Sequence, residues 1–541
     1  MAGKYSLKRR LVLLALPFLA VMFLLDAFSM YNTSLTWDEC DHVEFGRRVF
    51  ERQVSGAYMQ TMPITMLNYL PYRMTDFLGL DLSQKTAVFL SRLPSVLSSL
   101  LLGLFVFLWS YRLYGTRGAL LSLTLYAFCP NVLAHSRLAT TDIYCAFFMF
   151  LAVFVFVGYL RKPRPSSLVL SATTLGIAQI AKSTALLLFP LCVFLWLIKV
   201  AVLKGQSGVA EPMPGDPSLL RRLMTTVIFL CIVTLTINAA YFFQGSLRPA
   251  GEYLKEFQAE SAGATASPTV SNLASVASHF SGVPVPLPKT FVQALLLGIH
   301  YNATGEGHAP IYLLGALSQK GWWYYFPVAF GLKTPLALFA ALLIAVFVAR
   351  PYVKKNPVDE IALISAVILI FGFFTFLCTA QIGVRYLLPI YPLLYVFIGK
   401  AATYRPPKLT ATYRAALLGL CVWFCASSVS FYPHYIAYFN ELIGDRKNMY
   451  KYLADSNVDW RQDAYYLQGY LDKHKNEVIS LNPRLPVSGK VIVNVNALVG
   501  VEGSAETYRW LRDGFKPVDR IGYSLLIYDV SADKVSCEPA K

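Results

Sequence analysis

Residues 8–41 read KRRLVLLALPFLAVMFLLDAFSMYNTSLTWDECD. Lys8, Arg9 and Arg10 precede an apolar run, Leu11–Met30, and the acidic residues Asp38, Glu39 and Asp41 follow it. Crossing a hydrocarbon core of about 30 Å takes roughly 20 apolar residues in a helix, so this run spans a membrane. Its basic flank holds the N-terminus in the cytoplasm and sets the acidic residues on the far side. The run also resembles a signal peptide. No small-x-small cleavage pattern follows it, so it reads as an uncleaved first helix.

Working outward, runs of similar length recur at Ala87–Trp109, Gly118–Leu133, Ile143–Leu160, Leu223–Phe243, Phe326–Val348, Ile361–Ala380 and Ala415–Phe431. Ser166–Ala181 and Thr184–Val202 form a close pair, either two spans or a partly re-entrant hairpin. Tyr386–Ile398 is short and carries Pro389 and Pro392, which predict a kink. The expected architecture is an α-helical polytopic membrane protein with about 11 spans. Basic residues check the count. Arg112 and Arg117 follow the second span, Arg161, Lys162 and Arg164 the fourth, Lys199, Lys204, Arg221 and Arg222 the sixth, Arg350, Lys354 and Lys355 the eighth, and Lys400, Arg405, Lys408 and Arg414 the tenth. Every second connection is basic, so these all face the cytoplasm.

Composition agrees. Of 541 residues, 56% are hydrophobic and 15% charged, against about a quarter charged in soluble domains. The net charge of +17 sits in short loops between apolar runs, where it sets orientation, and no nucleic-acid partner is indicated. The expected location is the inner (plasma) membrane, with the C-terminal part outside. Residues 1–431 read as the transmembrane domain. Its outer loops are 31–86, with stretches suited to interfacial helices, and 244–322, which ends in the aromatic cluster Trp322–Tyr325 at the membrane interface. Residues 432–541 read as a small α/β extracytoplasmic domain, with strands over Val491–Val495 and Ser524–Val530 and helices over Met449–Leu453 and Asp463–Asp472.

Most of the nine cysteines lie in apolar runs, where they pack; Cys40 and Cys537 lie outside them. Neither CxxC nor a Cys/His ligand spacing occurs, so no metal site is assigned and no cofactor is required. A divalent metal stays open without being indicated.

Candidate chemistry gathers at the outer level. Asp38 and Glu39 follow the first helix, and Asp142 opens the fourth, inside His135-Ser136-Arg137-Leu138-Ala139-Thr140-Thr141-Asp142. A helix beginning at Asp41, capped by Asp38 and Glu39, accounts for the first pair without any chemistry. Adjacent residues cannot aim at one point, so one of the two should face a cavity and the other a neighbour or helix end. Lys333 lies about two turns into an apolar run, Lys182 and Arg385 lie at outer mouths, and Arg92 sits just inside the second span. Snorkelling explains any one of these cations. Several of them beside several carboxylates suggest a site that holds an anion against a proton acceptor.

These residues carry a resemblance. Trp37-Asp38-Glu39, Ser91-Arg92-Leu93-Pro94-Ser95, His135 to Ala139 with Thr141-Asp142, and Ala181-Lys182 come first. Gly307-His308, Tyr312 to Gly315, Gly321 to Pro327, Leu332-Lys333-Thr334-Pro335, Arg385 to Pro392 and Asp455-Ser456-Asn457-Val458-Asp459-Trp460 follow in order. The chain resembles the GT-C superfamily of membrane glycosyltransferases, and within it bacterial members of glycosyltransferase family 39, related to protein O-mannosyltransferases and lipid A aminoarabinose transferases. The resemblance implies a polyprenyl-phosphate monosaccharide donor within the membrane lipid, an acceptor (protein, lipid or glycan) on the outer face, and Asp38 as catalytic base with Glu39 beside it. The chemistry of the cations, not the resemblance, sets Arg385, Lys333, Lys182 and Arg92 as the candidates for the donor phosphate, with Asp142, His135, Arg137 and His308 expected around the substrate.

A polyprenyl phosphate leaves readily, so such an enzyme must mainly bind its charge and deprotonate the acceptor. One carboxylate facing the sugar, without a second as nucleophile, gives inversion by analogy with glycosidases. Two departures bear on the acceptor. The Lys-Pro-Pro of the aminoarabinose transferases is reduced here to Met62-Pro63, and their arginine three residues after the aspartate is Asp41. The other class of function is a lipid-linked sugar flippase or secondary transporter, which would show repeats and interrupted helices meeting at mid-membrane. No internal repeat is visible in this chain.

Overall fold

The computed structural model describes residues 2–54, 62–207, 219–260, 275, 279–305 and 308–535. It is mostly helical. Among the described residues, seven helices are long and apolar enough to cross a membrane, or eight if one bent pair is a single span. Eleven spans were expected, and that number is not reached on length and composition. The second expected run and the first part of the third lie in one 44-residue helix, Gln84–Ala127, broken at Gly115, whose φ of 72° lies in the left-handed region; the end of the third falls in the short helix Pro130–Ser136. Pro165–Ala181 and Ile390–Thr403 are apolar helices shorter than 18 residues.

The bent pair corrects one reading. Phe326–Val348 is two helices, Tyr325–Lys333 and Leu336–Phe347, bent by 104°. The sequence explains the break: the residue before a proline is driven out of helical backbone, and Thr334 precedes Pro335. Freed carbonyls inside a membrane need donors. Asn131 Nδ2 donates to Lys333 O at 2.7 Å, and Asn440 donates from its backbone to Leu332 O and from its side chain to Thr334 O, each at 2.8 Å. Lys333 therefore sits at a helix end, not two turns inside a straight span.

At the end of the bundle that carries the basic loops, charged side chains converge on the first turn of helix Pro357–Phe376. Arg112 reaches Asp359 at 2.6 Å, Arg161 binds the same carboxylate, and Lys400 reaches Glu360 at 2.5 Å, with both acids fully buried. Three connections that the basic pattern placed on one side thus share one end.

At the other end, the first outer loop folds into helices Trp37–Phe50 and Met66–Phe77. Beyond the last span, four strands form one sheet in the order Ile479–Leu481, Gly489–Asn494, Leu525–Val530, Asp519–Ile521, with the two central strands antiparallel and Val491 opposite Tyr528. Tyr466, Leu467 and Tyr470 of helix Ala464–Lys473 pack against Ile492, Leu525 and Ile527 on one face. Val491, Val493 and Tyr528 on the other face join the main core. Both expected strands are present within a residue or two; Met449–Leu453, expected to be helical, is mostly a 3₁₀ turn at Arg446–Lys451. Cys537 lies outside the described residues.

Candidate active site

The helix that carries the acidic pair begins at Trp37 behind Thr36, four residues before the expected Asp41. Neither acid is therefore the N-cap. Successive helical positions point about 100° apart, and the two acids separate accordingly. Glu39 is fully buried. Its carboxylate accepts from Arg92 Nε at 2.8 Å and Nη2 at 2.7 Å, from Ala139 N at 2.8 Å and from Thr36 N at 2.8 Å, the last being half of a capping box. Asp38 turns the other way and accepts from Arg385 Nη1 at 2.8 Å.

Asp142 and Lys182 complete the group. Lys182 Nζ lies 2.5 Å from Asp142, and Arg385 lies 3.8 Å from it. Asp142, Lys182 and Arg385 border a small cleft of about 10 Å³, lined also by Cys145, Phe374 and Tyr386. Lys182 stands 4.6 Å from the Tyr386 ring centroid, and the Arg385 guanidinium 4.1 Å from that of Trp460. Four residues far apart in the chain thus form one cluster of alternating charge beside this cleft.

The structure gives four of the expected site residues other work. Arg92 spends its donors on Glu39, Met30 O, Thr33 O and Ser34 O, all in the core, and is not free to meet a phosphate. Glu39 is its buried counter-charge and has no face on the cavity. Lys333 donates to Ile436 O at 2.7 Å and Asn457 O at 2.5 Å, and so ties the break in the bent pair to the segment after the last span. Arg137 donates to Thr33 Oγ1 at 2.7 Å, under the turn that starts the Asp38 helix. Two more lie apart from the ion cluster. His135 is buried edge-on to Trp460, with centroids 6.0 Å apart. His308 contacts Ala309 O and makes no hydrogen bond to the cluster among the described residues.

Sequence reading missed His42. It lies one helical turn after Asp38, so i, i+4 spacing alone pointed to it. Its Nδ1 is buried with no partner among the described residues. Burial holds its pKa below the ordinary imidazole value despite the charges of Asp38 and Asp142. For Asp38, burial pushes the carboxyl up, but the Arg385 charge and hydrogen bond outweigh it and leave the group below the usual carboxylate range.

Residues 78–207 match the model of the family described as dolichyl-phosphate-mannose-protein mannosyltransferase. That match supports the GT-C superfamily. Arg92, Asp142 and Lys182 lie inside the matched stretch, and Asp38 and Arg385 outside it. Among solved structures, the chain is similar to the oligosaccharyltransferase AglB of Archaeoglobus fulgidus, in complex with an inhibitory peptide and a dolichol-phosphate. The two are 13% identical, with 84% of this chain and 59% of that one covered and a TM-score of 0.46. It is also similar to ArnT of Cupriavidus metallidurans bound to undecaprenyl phosphate, at 16% identity over 97% of this chain and 99% of that one, with a TM-score of 0.28. The chain thus spans 59% of the length of the archaeal enzyme. No curated protein matches.

Proposed function

We propose that the protein is an integral membrane glycosyltransferase that moves a monosaccharide, hexosyl or pentosyl, from a polyprenyl-phosphate carrier to an acceptor on the outer face, with inversion. One observation supports this reading: two cations, Arg385 and Lys182, and two carboxylates, Asp38 and Asp142, form one ion cluster, and Asp142, Lys182 and Arg385 line a cleft beside it. In the reaction Asp38 takes the proton of the acceptor nucleophile, the bond between the anomeric carbon and the phosphate oxygen breaks, and the new glycosidic bond forms on the opposite face. Arg385 and Lys182 take up the charge that develops on the leaving phosphate. Arg suits two-point contact with phosphate, whereas Lys supplies a point charge. The scheme runs on these side chains without a cofactor.

The Asp38–Arg385 ion pair gives donor binding a second effect. A bound phosphate claims Arg385, the charge that depressed Asp38 is neutralised, and the carboxylate becomes more basic as the donor arrives. In the free enzyme the depressed carboxyl stays ionised, and active, down to a pH below the ordinary carboxylate range. Arg385→Gln removes the depressing charge and keeps the burial, so the acid limb of kcat/KM should move to higher pH. Donor binding should weaken about 10- to 100-fold, the scale of a charge-assisted hydrogen bond. An unmoved limb with unchanged donor affinity removes Arg385 from the site.

Proteoliposomes test the reaction itself. With undecaprenyl-phosphate monosaccharide and a membrane-impermeant acceptor supplied on the face that carries the C-terminal sheet, the protein should release undecaprenyl phosphate and glycosylate the acceptor. On the opposite face it should do neither. Movement of intact donor across the bilayer without cleavage would make the protein a transporter. The orientation proposed here, in a bacterial plasma membrane, has the N-terminus cytoplasmic and the cluster outside.

A further inference from the structure

The stretch Asp455-Ser456-Asn457-Val458-Asp459-Trp460 lies beyond the last span and has no role in the reaction above. Its contacts are unevenly distributed. Three of its side chains bind the short stretch Ile382 to Arg385, one after another. Ser456 Oγ donates to Ile382 O, and a Cβ at Gly383 would press on that same hydroxyl. Asn457 Oδ1 accepts from Val384 N at 3.0 Å. Trp460 presents its ring to the Arg385 guanidinium at 4.1 Å.

The stretch is itself held firmly. Asp455 adopts φ 55°, a left-handed conformation that aspartate tolerates, and its carboxylate caps Ser456 N at 2.5 Å. Asn457 Nδ2 donates to Tyr325 OH at 2.9 Å, and Lys333 binds the Asn457 carbonyl. Trp460 O accepts from Trp37 N at 3.1 Å, the residue before Asp38, and its ring is 5% exposed between Arg385 and His135. Arg385 needs such a mount. It is 7% exposed, its Nε is buried with no partner among the described residues, and only Nη1 is fixed, on Asp38. Once a phosphate draws Arg385 from Asp38, the contacts that remain are Asp142 at 3.8 Å and two aromatic faces, Trp460 at 4.1 Å and Tyr386 at 5.7 Å, of which Trp460 is the nearer.

We propose that Trp460 is a positioning residue for Arg385, and that through residues 455–460 the segment after the last span sets the orientation in which Arg385 receives the donor phosphate. This rests on the reading of Arg385 given above. A cation over an aromatic face is strengthened where water is excluded, as here.

The test uses the full-length protein in detergent with undecaprenyl phosphate as probe, and compares Trp460→Leu with Trp460→Phe. Both keep an apolar core residue, but only phenylalanine keeps an aromatic face. Binding should weaken about 3- to 30-fold in Trp460→Leu, the range of a buried cation–π contact, and stay within about threefold in Trp460→Phe. In turnover the loss should fall on kcat as well as on KM for the donor, because Arg385 also takes up the charge that develops on the leaving phosphate. In an Arg385→Gln background, Trp460→Leu should bring no further loss of binding. Ser456→Ala, which deletes only the hydroxyl on Ile382, should weaken binding in the same direction and serves if Trp460→Leu does not fold. Equal binding by the Leu and Phe variants, or the same loss with and without Arg385, makes Trp460 a packing residue and overturns the proposal. If Arg385→Gln alone leaves binding unchanged, the role of Arg385 itself fails, whatever Trp460 does.

Discussion

Asp38→Asn should fold and insert as the native protein does, and its transfer rate should fall by roughly 10²–10⁴. The amide keeps the shape of the carboxylate and can still meet Arg385, but it cannot take the proton of the acceptor, and general base catalysis contributes about that factor. Asp38 lies in the first turn of its helix behind Thr36 and caps nothing, so the structural loss is a charge near a helix N-terminus, worth about 0.3–1 kcal/mol, and its ion pair with Arg385, which keeps Asp142 as a counter-charge at 3.8 Å. Turnover and thermal unfolding of the purified variant separate the two effects. A variant that transfers sugar at the native rate would end the base assignment.

Glu39→Gln should fail in the opposite way, through stability. The Glu39–Arg92 pair has no exposed side-chain surface, and Arg92 Nη2 and Glu39 lie 2.7 Å apart. Breaking a buried pair by neutralising one partner strands the other charge and costs about 3–5 kcal/mol. Arg92→Met should be as severe, whereas Glu39→Leu with Arg92→Met in one chain should recover much of the loss, because no charge is left behind. Unfolding curves in detergent distinguish these outcomes. A native midpoint for Glu39→Gln would show that the pair contributes little. With two adjacent acids, one substitution is expected to stop chemistry and the other to unfold the protein.

That division was only half legible in the sequence. Adjacent helical residues must diverge, so one acid had to face a cavity and the other a neighbour. Which was which depended on Arg92, 53 positions after Glu39, and on Ala139 N, 100 positions after it. Arg92 was misread for the same reason: a cation just inside a span can meet a phosphate or a buried acid, and local sequence does not separate the two. Lys333 was placed inside a helix because hydropathy sees the apolar run and not the break at Pro335.

The sequence by itself determined that the chain crosses a membrane repeatedly, and it set Asp38, Glu39, Asp142, Lys182, Arg385, Arg92 and Lys333 as candidates at the outer level without sorting them. Hydropathy and charge act residue by residue against water and lipid, and so can be read along the chain. Only the tertiary structure decided which charges pair. Asp38, Asp142, Lys182 and Arg385 meet in one ion cluster, and Trp460 stacks on Arg385. Charge pairing in a medium of low dielectric depends on distances of a few ångströms between distant residues, and packing of the helices sets those distances.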